Sequence, residues 1–219
     1  MLHLTPRQQT LLHVSLTAIL AAYWLVWMPG PGAGLQLIGL EMGEWVKFLP
    51  EVRAGQISAG RDLFYLPPIT AGLLLALSTV GWPHRWPTWL VRGLAVLVSL
   101  LAFPSLDAIR FEPRSEWLWR LGLVGLVVMG VGVTPWLNGR RGKAAAAFTI
   151  LLSLIAIAGA VLPVWAYLVM RPAISHALTR PVGFGPGFWL NMGGHGVAAA
   201  VLLASLVYTR EPREVSPNS

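Results

Sequence analysis

The chain has 219 residues, 55% hydrophobic and only 11% charged, with a mean hydropathy of +0.63. That charged fraction is under half of the roughly 25% usual for a soluble domain, so water is not the main solvent of this chain. The net charge of +7 argues for topology and anionic headgroups rather than nucleic acid in a chain so apolar, and the absence of cysteine excludes disulfides, thiolate metal sites and cysteine nucleophiles.

A hydrocarbon core about 30 Å thick takes about 20 apolar residues per helix. Six segments fit: Leu11 to Met28, Leu66 to Gly81, Trp86 to Pro104, Trp117 to Leu137, Ala144 to Met170 and Gly187 to Tyr208. The expected fold is all-α, a single polytopic membrane domain over 1–219, with about six transmembrane helices, an amphipathic extracytoplasmic helix and a polar tail at 209–219. Arg7 ahead of the first segment suggests a signal peptide, but the apolar run is too long for one and no small-residue cleavage pattern follows it. It is read as a retained span.

Between the first two spans, "LIGLEMGEWVKFLPE" (37–51) sets Ile38, Met42, Trp45 and Leu49 on one stripe. Glu41, Glu44, Lys47 and Glu51 form the other, as in an amphipathic helix. Glu44 with Lys47 and Lys47 with Glu51 have pairing distance, and Pro50 should end the helix. Gly39 and Gly43 make it a poor helix alone, so contacts must hold it, whether flat at the membrane interface with Trp45 buried, as a cap on the bundle, or as a docking site for a partner.

Pro67 and Pro68 suit the first turn of the second span, where their missing amide hydrogens cost little. Arg92 lies a turn or so into the third and is expected to snorkel to inner headgroups. Residues 106–120 alternate Asp107, Arg110, Glu112, Arg114, Glu116 and Arg120, which reads as exposed ion pairs worth about 0 to 1 kcal/mol each. Arg140, Arg141 and Lys143 follow the fourth span and, with Arg7, place both termini on the cytoplasmic side of a cell membrane. Tryptophans near the span ends suit an aromatic belt.

The fifth span carries a small-residue patch, Ala156, Gly159 and Ala160, followed by Pro163, which should kink the helix and free a carbonyl. The sixth opens on "GFGPGFWLNMGGHG" (183–196). Asn191 and His195 share a face one turn apart, and Gly193, Gly194 and Trp189 surround them. A polar pair facing lipid is costly, so both should turn toward neighbouring helices. His195 then has three readings: a histidine bonded between helices, a ligand-binding or proton-handling residue in a cavity, or an axial ligand of a haem or chlorin. His13 lies near the opposite end of its span and should not meet it.

No metalloprotease His-Glu-x-x-His motif, nucleophile elbow or clustered catalytic set occurs, and neither metal nor catalytic residues are expected. The function expected is that of a non-catalytic membrane subunit or scaffold packed against partner helices or lipids, or a homo-oligomer. A small transporter or lipid-binding protein with a cavity near Asn191 and His195 is the alternative. Pigment binding and membrane enzymology rank below both, and no cofactor is implied.

Overall fold

The computed structural model describes residues 4–30, 36–57, 60–137 and 143–208. Arg140, Arg141 and the tail 209–219 lie outside the described residues, and Lys143 is described only as the first residue of its helix. The described chain is all-helical apart from one two-stranded ribbon.

Helix α1 (Pro6–Trp24) starts at a capping box in which Thr5 and Gln8 bond each other's backbone, with Pro6 in the first turn. It stops four residues before the expected Met28, because Leu25 turns extended and β1 (Val26–Met28) pairs antiparallel with β2 (Leu37–Ile38). The amphipathic segment is shorter than its periodicity suggested. It is α2 (Gly39–Val46), and Pro50 does not terminate it but opens the four-residue α3 (Pro50–Arg53), as its fixed φ favours at a first helical position. A 3-10 turn (Arg61–Tyr65) leads into α4 (Leu66–Ser78). Then follow α5 (Trp86–Ser99), α6 (Leu106–Phe111), α7 (Arg114–Val133), α8 (Lys143–Ala177) and α9 (Pro186–Tyr208).

Helix α4 is the hub. Every residue from Pro67 to Ser78 is buried, the mark of a helix apolar all round, and α1, α5, α7 and α8 pack around it. Helix α9 wedges between α1 and α8. At 35 residues, α8 is about 52 Å long and continues through Pro163 and Pro172 past the bundle. Its Tyr167, Met170 and Ile174 join Met42, Val46 and Trp27 in a second apolar core beneath α2. The bundle thus carries a cap at one end.

The outward surface is apolar. Leu90, Leu94 and Leu97 on α5, Val128 and Met129 on α7, and Leu151, Leu154 and Val161 on α8 are all exposed, the inverse of a protein folded against water. Three helices are long and apolar enough to cross a membrane: Arg114–Val133, Ala144–Ala177 and Pro186–Leu206. The other three apolar helices fall short of that standard. The first turns of α1 are polar, α4 has 13 residues, and the apolar stretch Trp86–Ala102 lies in the 10–17 residue class.

Candidate functional site

Asn191 and His195 are fully buried, 0% exposed, on the face of α9 turned toward α8 and α4. The proline explains the first contact. Pro163 has no N–H to give the carbonyl four residues back, and that carbonyl, Gly159 O, accepts from Asn191 Nδ2 at 3.2 Å. His195 is held at both ring nitrogens. Nδ1 lies 3.0 Å from Asn191 O, a carbonyl that only accepts, so Nδ1 carries the proton. Nε2 lies 2.8 Å from Thr70 Oγ1, a hydroxyl also within reach of the Leu66 and Pro67 carbonyls of its own helix at 2.9 and 3.1 Å. Gly159 makes the pairing possible, because a Cβ there would collide with His195 Nε2 and Thr70 Oγ1 together. With both nitrogens engaged and α8 backbone against Nε2, neither nitrogen faces an open coordination position. Asn191 Oδ1 has no hydrogen-bond donor.

The glycines near this pair divide by direction. Gly194 faces α1, where a Cβ would come within 2.9 Å of Ile19 Cγ1 and 3.1 Å of Ser15 O. Gly193 faces open space and, with the half-exposed Trp189, lines an apolar groove of about 670 Å³ between α1 and α9. Gly185 and Gly187 serve the cap: Gly185 N donates to Trp27 O at 2.8 Å, and a Cβ on either would strike the backbone of Val26 or Ala22. His13 does not approach His195. It bonds Gln9 O through Nδ1 and lies 5.9 Å from the ring of Trp82.

The largest polar constellation lies under the cap. Glu44 on α2 accepts from Tyr65 Oη at 2.6 Å, Arg120 Nη1 at 2.6 Å and Lys47 Nζ at 2.8 Å. Lys47 also reaches Glu112 at 2.7 Å, and Arg61 spans Glu112 and Glu116 at 3.1 and 3.0 Å. Arg120 is 3% exposed. It stacks 3.7 Å from the Tyr65 ring centroid and donates to the carbonyls of Ala102 and Phe103. The exposed lattice expected over 106–120 is therefore in part a buried tertiary clamp, and Lys47 pairs with Glu112 rather than Glu51. Of the outer-helix residues, Met42 is fully buried, Trp45 packs partly buried against the cap core, and Glu41 turns back to accept from Ile38 N.

Burial pushes the Glu44 carboxyl up, but the bonds from Lys47, Tyr65 and Arg120 outweigh it and hold it at about 2. The Lys47 hydrogen bond, assisted by Arg61, holds Glu112 below the usual carboxylate range against partial burial. Asp62 is raised by burial despite Arg61 and Arg120, and its Oδ1, like Arg61 Nε and Nη1, has no partner.

Arg92 does not reach outward. It is 1% exposed, donates from Nε to Thr79 Oγ1 at 3.0 Å and lies 5.1 Å from the Trp89 ring. The tertiary contact with α4 captures the guanidinium that a lone helix would send to headgroups.

Sequence reasoning missed Tyr65, Arg61 and Arg120 as one site, since Glu44 and Arg120 stand 76 residues apart and no local spacing joins them. It also missed Thr70, whose signal was a lone hydroxyl inside an apolar run. Compared with protein-family models, curated proteins and solved structures, the chain matches none.

Proposed function

We propose that the chain is a six-span, non-catalytic integral membrane protein, a subunit or scaffold that packs against partner helices and lipids, with the α2 cap outside and both termini inside. The observation that carries this reading is the grip on His195 by Thr70 and Asn191 at 2.8 and 3.0 Å. The bundle's deepest titratable side chain is spent on joining α4 to α9 and is not presented to a solute. The cap supports it too, because Glu44 and Lys47 are turned into intramolecular bonds. Helix α2 therefore closes the bundle, and partners meet the apolar flanks.

Mild-detergent purification from native membranes tests this, with the expected result a fixed partner or a stable homo-oligomer; recovery of the isolated chain alone contradicts it. A second reading, a carrier of small hydrophobic ligands, draws on Asn191 Oδ1, buried without a donor. Under the subunit reading His195→Ala lowers the melting temperature and leaves uptake by proteoliposomes at background. A loss of measurable uptake would favour the carrier.

A further inference from the structure

Arg92 stands at the end of the bundle opposite the cap, and no protein group there answers its charge. Its Nε is taken by Thr79 Oγ1 at 3.0 Å, but Nη1 and Nη2 are buried with no acceptor. Every acid among the described residues lies on α2, α3, the 3-10 turn before α4 or the segment 107–116, on the cap side. Helix α4, with 13 residues, separates that side from Thr79 by about 20 Å. A buried guanidinium without a counter-charge is costly, so this one calls for an anion from beyond the described residues.

We propose that Arg92 binds one phosphate-class anion, a phospholipid headgroup or free phosphate, whose oxygens accept from Nη1 and Nη2. The Thr79 hydroxyl donates to Ala76 O at 2.7 Å, which leaves a lone pair to hold Nε and so fixes the guanidinium. The two remaining Nη groups form one edge of its plane, the fork that takes two oxygens of a phosphate together. Helical side chains lean toward the amino terminus, so Arg92 reaches back along α5 to Trp89, whose ring centroid is 5.1 Å from Cζ. Trp89 is 52% exposed and Trp86 73%, indoles at the level that headgroups occupy in a bilayer. The anion enters past Trp89, whose half-exposed ring swings aside without the bundle opening. The site needs no protein partner, so failure to find one leaves it standing.

Thermal unfolding of the full chain in neutral detergent tests it in two arms. One sets sodium phosphate against sodium chloride at equal ionic strength; the other sets phosphatidylglycerol against diacylglycerol, which has the acyl chains without the phosphate. The melting temperature should rise with phosphate if the anion is taken free, and with phosphatidylglycerol alone if it must arrive on a lipid. R92Q should weaken binding of the stabilising species about tenfold or more, the worth of one hydrogen bond to a charged group. R92K, which keeps the charge without the fork, should bind with intermediate affinity and covers the case in which R92Q does not fold. Glu211→Gln with Glu214→Gln, the remaining acids of the chain, should leave the affinity unchanged. The proposal is overturned if neither phosphate nor phosphatidylglycerol stabilises the chain beyond its control, or if R92Q and R92K bind as the native chain does. A gain of affinity in the Glu211 and Glu214 double variant would make the chain's own carboxylates the partner of Arg92 and overturn it as well.

Discussion

Gly159 is the residue on which the α4, α8 and α9 junction turns, since its missing side chain is what lets Thr70 reach His195. Gly159→Ala should destabilise the protein by about 1–3 kcal/mol, the usual cost of overpacking, read as a lower melting temperature in detergent. Gly193→Ala, on α9 and facing open space, should not lower the melting temperature. Equal effects from the two would mean that the junction is not close-packed. In the cap, Tyr65→Phe removes one of Glu44's three donors and should cost about 1.5–3 kcal/mol, the range of a hydrogen bond to a charged group, seen as faster amide exchange in α2.

The element scale belongs to α2, which has eight residues and two glycines and does not hold itself as an isolated helix. Its docking rests on Met42 and Val46 below and on the Glu44 clamp beside them. Glu44 sits at about 2 in the folded protein against an ordinary 4.5. A depressed carboxylate contributes stability that is complete above its unfolded value and lost as pH falls through the folded one. Lys47 is shifted upward: burial lowers it, but its bonds to Glu112 and Glu44 prevail. Its contribution is therefore complete below 10.5 and lost above. The protection of the α2 amides, their exchange relative to an unstructured peptide at the same pH, should be high and flat between about pH 5 and 10 and fall toward pH 2. Asp62, raised by burial, works in the opposite sense, so Asp62→Asn should steepen the acid loss. Protection of the α2 amides that does not change from pH 7 to 2 would contradict the clamp.

This element also marks how far the sequence could be read. The stripe of Met42 and Leu49, the need of Gly39 and Gly43 for outside support, and the Glu44–Lys47 pair follow from 3.6-residue periodicity and appear in the fold. So do the inward faces of Asn191 and His195 and the carbonyl left free by Pro163, each a local consequence of helix geometry. Arg120 and Arg92 went the other way. Their surroundings are assembled from α2, α4 and the end of α5, and only tertiary contact tells a buried guanidinium from a solvated one. The early end of α1 was equally hidden, because β1 exists through pairing with β2 and the approach of Gly185.

For the whole molecule the question is how often the chain crosses the bilayer. Three helices suffice by length and composition; the proposed six crossings add α1, α4 and α5. The stretch that decides lies between His84 and Leu106. Both are exposed, and α5 is the long helix between them. As the chain has no cysteine, His84→Cys and Leu106→Cys each provide a single reactive thiol. Labelling with a membrane-impermeant maleimide in sealed cells should modify Leu106→Cys at once and His84→Cys only after permeabilisation. If both thiols react from the same side, α5 does not cross and the six-span account is wrong.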